Sequence, residues 1–276
     1  MRVSHITLLL AVSAAIALPA SAALPDKGNS EGVVSGIVRL EGQPVRLSVE
    51  TVTKDVRCCG PRKTCPRLIT GSGQAVKDAV VWLEEIHADG RAASNRVVVL
   101  RQEKCEYRPH ILVLYPGEQL EIVNSDPIMH NVHAYELNTS RRSVFNIAQP
   151  VRGQKSRIAP ELVKGADVLS VTCDAGHPWM SAYVFRARNK YCAITDASGR
   201  FRFEGVPPGT YSLRMWHEGV AIRPSTGVLQ GAPPVVEESY TAERSVTVQP
   251  RESVQADMTF SLRSAGPLQS SRISTP

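Results

Sequence analysis

The chain has 276 residues, and 32 lysines and arginines against 26 aspartates and glutamates give it a formal net charge of +6. These basic residues are scattered along the chain, whereas nucleic-acid binding needs a clustered basic face, so no nucleic-acid partner is expected. The length allows one large domain or two ordinary ones.

The first 22 residues have the pattern of a secretory signal peptide. Arg2 gives a basic start, residues 6–18 are apolar, and Ala20-Ser21-Ala22 has the small residues of a cleavage site. The apolar run is too short for a membrane span, and no later stretch reaches about 18 apolar residues. We therefore expect a soluble, exported protein, periplasmic or secreted, with no membrane span.

Short apolar or alternating stretches, separated by turn residues, follow along the chain. They are Val33–Leu40, Ala79–Leu83, Val97–Leu100, Ile111–Leu114, Gln119–Val123, Val168–Cys173, Ala182–Phe185, Arg200–Phe203 and Thr210–Trp216. Many short strands with turn signals between them are typical of β-sandwiches and barrels, and helical periodicity is nearly absent. The predicted fold class is all-β.

Two later segments depart from this pattern. Residues Arg223–Glu238 are rich in proline and glycine, which predicts a long loop. Residues 263–276 contain too few apolar side chains to hold a conformation, which predicts a flexible tail.

The segment from Cys173 to Met180 contains candidate metal ligands. It brings a thiolate, the imidazole of His177 and the thioether of Met180 into one loop between two apolar strands. A thiolate and two imidazoles around the metal, with a weak axial thioether, form a mononuclear electron-transfer copper site. The second imidazole must come from a neighbouring strand, and His130, just after an Asn/Asp turn, offers it. The sequence thus predicts one copper ion bound by His130, Cys173, His177 and Met180.

These residues also carry a family resemblance. The run Pro116–Asn124, followed by His130-Asn131-Val132, resembles the middle of small blue-copper proteins such as plastocyanin. The Cys-x-x-x-His-x-x-Met spacing is similar to a short cupredoxin ligand loop. The resemblance covers roughly residues 94–188 and implies a cupredoxin-like Greek-key β-barrel or sandwich with the same four ligands.

The resemblance implies further roles around the copper. Asn131 matches a residue that ties the two ligand loops together by hydrogen bonds. His177 is expected to present its ring edge at the surface, where the electron leaves. Pro178 and Trp179 would then form part of an apolar docking patch, although Trp179 is more ordinarily a core residue.

Two further histidines are secondary candidates for the metal. His133 lies on the same stretch as His130, but an extended strand places these two residues on opposite faces, which favours His130. If both ligate, a more tetragonal site is expected, together with catalysis or copper storage. His110 precedes the strand at Ile111, where a hydrogen-bonded structural role is the ordinary alternative.

Six cysteines in an exported chain are ordinarily disulfide-bonded, so a disulfide at Cys173 is the main alternative to copper. Met180 as a simple core residue is a second alternative. If Cys173 binds metal, the cysteines that remain are Cys58, Cys59, Cys65, Cys105 and Cys192. We expect Cys58 or Cys59 to pair with Cys105, and Cys192 to be buried and unpaired.

The second half of the chain resembles another family. Residues Ala193–Leu213, with an Asp-x-x-Gly turn and a Pro-Pro-Gly-Thr-Tyr turn, resemble the carboxypeptidase regulatory-like (prealbumin-like) β-sandwich. The strands that normally open this family are present far upstream, at Gly36–Leu40 and Asp78–Leu83. This order predicts a sandwich split between residues 33–92 and 190–262, with a copper domain inserted at 93–189. The alternative is a larger cupredoxin over residues 33–188 followed by a truncated module.

The same order resembles proteins labelled methylamine utilisation protein. The leading functional hypothesis is one-electron transfer to or from another extracytoplasmic redox protein. The alternatives are a copper carrier or buffer and a non-redox envelope-binding module. Hydrolase motifs such as G-x-S-x-G and H-E-x-x-H are absent from the sequence. No enzymatic activity is therefore expected. The exception is a copper oxidoreductase, which stays open because the role of His133 is not fixed by the sequence.

Overall fold

The computed structural model describes residues 30–42, 49–64, 67–86, 95–137, 142–220 and 239–262. Strands dominate these residues, which confirms the all-β prediction. The predicted signal peptide (1–22), the predicted tail (263–276), the predicted loop at 223–238 and Cys65 lie outside them. None of the described helices is long and apolar enough to cross a membrane.

The strands are β1 (Gly32–Glu41), β2 (Val49–Thr51), β3 (Arg62–Thr64), β4 (Ile69–Thr70), β5 (Val76–Lys77), β6 (Val80–Glu84), β7 (Val97–Glu103), β8 (Glu106–Arg108), β9 (Ile111–Leu114), β10 (Gln119–Asn124), β11 (His130–Glu136), β12 (Ser143–Gln149), β13 (Lys155–Arg157), β14 (Val168–Thr172), β15 (Ser181–Arg186), β16 (Cys192–Ile194), β17 (Arg200–Val206), β18 (Gly209–His217), β19 (Tyr240–Val248), β20 (Ser253–Gln255) and β21 (Met258–Ser261). Two one-turn helices, α1 (Val56–Cys59) and α2 (Pro160–Val163), and a 3₁₀ turn (Ser72–Gln74) complete the described elements.

Strands from the two ends of the chain share two sheets. One sheet has the order β17-β1-β20, with β21 also paired to β1, and the other has the order β16-β6-β18-β19. Alternate residues of β1, among them Val34 and Val38, are fully buried, as the two-residue period of a strand requires. They pack with Leu83, Phe203 and Leu213 from the other strands into one core, so the two sheets form a sandwich.

The middle strands form two sheets of their own, ordered β13-β10-β7-β8 and β12-β11-β14-β15-β9. Leu100, Leu120, Leu169 and Val171 share a second core between these sheets. In the second sheet, β11 lies between β12 and β14, which places the start of β11 beside the end of β14. The metal-site residues predicted from sequence lie at this point.

Residues 49–64, which we call the cover segment, precede the middle strands in sequence and pack on them. Val52 and Cys59 are buried in the second core, and Cys59 forms a disulfide with Cys105 in the turn between β7 and β8. Lys63 adds an ion pair of 2.9 Å to Glu106. A stretch within the predicted sandwich range of 33–92 therefore contacts the middle strands instead.

A third, smaller core joins the two groups of strands. Val80 and Trp216 from the sandwich meet Ile111 and Tyr183 from the middle strands. The rings of Tyr183 and Trp216 have centroids 5.3 Å apart. The division into two domains stays a prediction, but these contacts show that the two groups of strands pack directly together.

Candidate metal centre

Three of the four predicted ligands meet in one buried cluster. The Sγ atom of Cys173 lies 3.9 Å from Nδ1 of His130 and 3.6 Å from Nδ1 of His177, and the two Nδ1 atoms are 3.3 Å apart. Both histidines are fully buried, and Cys173 is 5% exposed. The three donor atoms therefore form a compact triangle closed to water.

This triangle has the size that a metal ion requires. Zinc, a comparable first-row ion, has bonds of about 2.1 Å to nitrogen and about 2.3 Å to sulfur. At angles near those of a trigonal or tetrahedral site, such bonds separate two nitrogens by about 3.4 Å, and a nitrogen and a sulfur by about 3.7 Å. The observed separations agree with these values, and the mixture of thiolate and imidazole suits copper.

The backbone brings the three residues together at one edge of the second middle sheet. Cys173 directly follows β14, and His130 is the first residue of β11. His177 lies in the loop between β14 and β15, which Gly176 turns with a φ of +90°, a conformation that favours glycine. A hydrogen bond of 3.0 Å from the Met180 N–H to the His177 carbonyl closes the loop.

Asn131 connects the two ligand-bearing segments. Its backbone N–H donates to Sγ of Cys173 at 3.3 Å, and its side-chain oxygen accepts from the Asp174 N–H at 3.3 Å. The hydroxyl of Tyr107 reinforces this connection by donating to the carbonyls of Asn131 and Thr172, at 2.6 and 3.0 Å. The contacts of Asn131 are of the kind that the resemblance implies, whereas no sequence signal pointed to Tyr107.

A carboxylate faces the outer nitrogen of each histidine. Oδ2 of Asp126 lies 2.8 Å from Nε2 of His130, and Oδ2 of Asp55 lies 3.0 Å from Nε2 of His177. A histidine that binds metal through one nitrogen commonly donates its other N–H to such a group, which fixes the tautomer and the ring orientation. Sequence reasoning missed both aspartates: Asp126 was read only as part of a turn, and Asp55 lies far from the other residues in sequence.

The cluster changes the acidity of its members. Burial raises the pKa of Cys173, but contacts with the His130 and His177 rings and a hydrogen bond from the Asn131 N–H outweigh it and bring this pKa down to about 6. Burial lowers the pKa of His130, but bonds to Asp126 and Cys173 outweigh it and bring this pKa up to about 9. Both shifts favour a thiolate beside an imidazolium in the metal-free cluster, and a metal cation can replace that proton.

Met180 lies at the end of the ligand loop. It is 1% exposed and packs in the same core as Cys173. This placement is compatible both with an axial ligand and with a core residue. Ligation by Met180 stays a prediction.

The structure does not bring His133 or His110 to the cluster. His133 lies on the other face of β11, where its Nδ1 is 2.6 Å from Oδ2 of Asp174 and its Nε2 is 2.8 Å from Oγ of Ser143. His110 contacts Glu218 through Nε2, and its Nδ1 lies 3.0 Å from the Ser181 carbonyl. His110 therefore joins the middle strands to the sandwich.

The expectation that His177 presents its ring edge at the surface is wrong. The ring is fully buried because Asp55 of the cover segment lies over Nε2. Pro178 is exposed, but Trp179 is only partly so, and its indole N–H donates to the Cys105 carbonyl at 3.1 Å. A contact patch centred on a bare His177 ring is thus excluded by the cover segment.

The disulfide expectations are resolved among the described residues. Cys59, and not Cys58, pairs with Cys105. Cys192 is buried and free, as expected, and Cys58 and Cys173 are free as well. The alternative that Cys173 is half of a disulfide is therefore wrong within this part of the chain.

The sequence comparisons match part of the chain. A family model described as polysaccharide lyase family 4, domain II, matches residues 165–229, which is under a quarter of the chain. No curated protein matches the sequence. The matched family differs from the carboxypeptidase regulatory-like sandwich, so that resemblance and the methylamine utilisation label stay predictions.

Several solved structures are similar to part of the chain, and three of them are as follows. A purple cupredoxin from Nitrosopumilus maritimus is 17% identical with a TM-score of 0.26, over 33% of this chain and 99% of that one. Amicyanin from Paracoccus versutus is 19% identical with a TM-score of 0.25, over 37% and 86%. A copper-containing nitrite reductase from Thermus scotoductus is 17% identical with a TM-score of 0.26, over 37% and 25%. With scores this low, the interpretation of the site rests on the chain's own geometry.

Proposed function

We propose that residues 93–189 form a cupredoxin-like domain that binds one copper ion, and that the protein transfers single electrons. The observation that supports this most is the buried triangle of His130, Cys173 and His177. A thiolate suits Cu(I) and two imidazoles suit Cu(II), so this donor set accommodates both oxidation states. Copper bound there would supply the one-electron chemistry, and Met180 is the proposed axial ligand.

The surroundings of the triangle support electron transfer over catalysis. Hydrogen bonds to Asp55, Asp126 and Asn131 hold the three donors at separations that already fit a metal ion. Donors that are fixed in advance move little when the metal changes charge. Catalysis would need an open position at the metal, and His133, the residue that left an oxidoreductase open, is engaged elsewhere.

We propose further that the protein works outside the cytoplasm, with another extracytoplasmic redox protein as its partner. The signal-peptide pattern of residues 1–22 supports export. The disulfide between Cys59 and Cys105 supports an oxidising compartment as well. These two observations are independent of the copper site.

The test is copper loading of the purified full chain. We expect one copper per chain and an intense visible thiolate-to-Cu(II) absorption band, which the Cys173→Ser variant loses. Cys192→Ser is the matched control, since Cys192 is also buried and free, and it keeps the band. A colourless copper-loaded protein, or a band that survives in Cys173→Ser, contradicts the proposal.

Voltammetry separates electron transfer from copper delivery. Because both ligand histidines are fully buried, release of copper requires the cover segment to open. We therefore expect a reversible one-electron wave and slow loss of copper to a chelator. Fast transfer of copper to the chelator, without a reversible wave, would favour the carrier alternative.

A further inference from the structure

We propose that Asp55 is a positioning residue of the copper site, acting through His177. In this role it keeps Nε2 of His177 protonated, so that Nδ1 is free to bind metal, and it places a negative charge behind the ring. The inference rests on the proposed copper function. It concerns a residue of the cover segment, outside the proposed copper domain.

The geometry of His177 carries the inference. Its Nε2 lies 3.0 Å from Oδ2 of Asp55, and its Nδ1 lies 3.6 Å from Sγ of Cys173. A neutral imidazole has one protonated nitrogen, and the partner of one nitrogen determines the state of the other. Because a carboxylate accepts a hydrogen bond at Nε2, the proton is held there and the lone pair of Nδ1 points into the triangle.

Asp55 is itself held in place by its own segment. Its φ of +52° lies in the left-handed region, which aspartate tolerates better than most residues. Its carbonyl accepts hydrogen bonds from the N–H groups of Cys58 and Cys59, each at 2.9 Å. The disulfide from Cys59 to Cys105 then fixes this turn to the middle strands.

A second contact joins the cover segment to the ligand loop directly. Nζ of Lys54 donates to the Ala175 carbonyl at 2.5 Å, two residues before His177. The Lys54 side chain passes so close to Gly176 that a Cβ there would lie 2.9 Å from Lys54 Cδ. The ligand loop and the cover segment therefore pack closely against each other, unlike two surfaces in chance contact.

His130 shows the same arrangement with Asp126, at 2.8 Å. The triangle is therefore flanked by two carboxylates in addition to the thiolate of Cys173. Negative charge near a metal favours its higher oxidation state. Loss of the Asp55 charge should therefore raise the reduction potential of the copper. Loss of the hydrogen bond between His177 and Asp55 should lower the affinity for copper.

The experiment compares Asp55→Gly and Asp55→Asn with wild type in the full chain. Glycine tolerates the positive φ and removes both the charge and the acceptor, whereas asparagine removes the charge and keeps an acceptor oxygen. Asp174→Asn is the charge control, because Asp174 is a nearby carboxylate that contacts His133 and not His177. Melting temperatures verify that each variant is folded.

The first readout needs no copper. Nitrogen chemical shifts of the metal-free protein should show His177 protonated at Nε2 in wild type, Asp55→Asn and Asp174→Asn, and a mixture of tautomers in Asp55→Gly. The second readout is the loss of Cu(II) to a chelator, which we expect to be about 10- to 100-fold faster in Asp55→Gly, because losing such a partner typically costs about 10- to 100-fold in metal affinity and we expect that loss in the release rate. Asp55→Asn should lose copper at an intermediate rate and show a higher reduction potential than wild type.

A folded Asp55→Gly protein with the wild-type tautomer and the wild-type rate of copper loss overturns the inference. Failure of the proposed function looks different, because wild type itself would then lack the thiolate-to-copper band. The tautomer measurement on metal-free protein still reports on Asp55 in that case.

Discussion

The described residues include two buried free thiols whose surroundings shift the thiol pKa in opposite directions. Cys173 and Cys192 are each 5% exposed. Around Cys173, two imidazoles and a backbone N–H overcome burial and lower the pKa to about 6. Cys192 packs in the third core, and burial alone raises its pKa to about 12. Burial makes a thiol inert unless donors stabilise its anion, so the donors and not the depth distinguish a ligand from a core residue.

The two regions also differ in how the chain covers them. The Cys173 region is closed by the cover segment and the Cys59–Cys105 disulfide. Cys192 lies where the sandwich meets the middle strands, packed near Val80 and Trp216. The first region therefore depends on a covalent link, and the second on apolar contact between the two groups of strands.

The largest expected effect comes from removing that covalent link. Cys59 and Cys105 are 46 residues apart, and the chain-entropy model gives about 4 kcal/mol of stability for a loop of this length. We predict that the double variant Cys59→Ala/Cys105→Ala loses about this free energy of unfolding in urea titrations and loses copper faster than wild type. Cys58→Ser is the control, since Cys58 has no disulfide partner among the described residues. Unchanged copper loss in the double variant would show that the cover segment stays closed without the link.

A smaller effect is expected at Cys192. Serine at this position places a hydroxyl in the third core, and an uncompensated buried hydroxyl costs about 1–3 kcal/mol. We predict this loss in the free energy of unfolding of Cys192→Ser, together with an unchanged visible band and copper content. A change in the band would show that the contact between the two groups of strands controls the proposed copper site and that the two thiol regions are not independent.

The smallest effect is on the pH dependence of stability, and it comes from His110, where the two groups of strands meet. Burial lowers the pKa of His110, but the Glu218 carboxylate and the Ser181 carbonyl outweigh it, with a contribution from Asp78, and raise this pKa above its usual 6.5. His217 is the opposing neighbour, since charge on either histidine disfavours charge on the other. Because the folded pKa is raised, protonated His110 stabilises the fold below pH 6.5, and this contribution disappears as the pH rises through the folded value.

We therefore predict that the stability difference between wild type and His110→Gln is largest near pH 6 and shrinks towards pH 9. Urea unfolding of the two metal-free proteins at several pH values measures it, and contributions common to both proteins cancel in the difference. A stability difference that does not vary with pH would mean that folding leaves the pKa of His110 unshifted, and a difference that grows with pH would mean that folding lowers it.

The parts of the site that depend on residues close together in the sequence could be predicted. Cys173 and His177 share one loop, and the alternation of a strand separates His130 from His133, so spacing was sufficient to predict that these three donors meet. The all-β class followed from the same kind of pattern. These predictions needed no knowledge of which distant segments meet.

The rest of the site depends on contacts between distant segments. Asp55 and His177 are 122 residues apart in sequence, and no periodicity links them. For the same reason the burial of the His177 ring was not foreseen, because the residues that cover it come from before the middle strands. The choice between Cys58 and Cys59 as the partner of Cys105 depends on the direction of one helical turn, which spacing does not specify.

The pairing of strands from both ends of the chain has a consequence for folding. The nine middle strands that the structure describes follow one another in sequence, so they can assemble once Arg186 has been synthesised. β1 must wait for β17, whose Phe201 is the register partner of Gly36. Contacts between such distant residues form slowly. The opening strand therefore stays an unpaired edge until late in assembly, and an exposed edge of this kind is where aggregation begins.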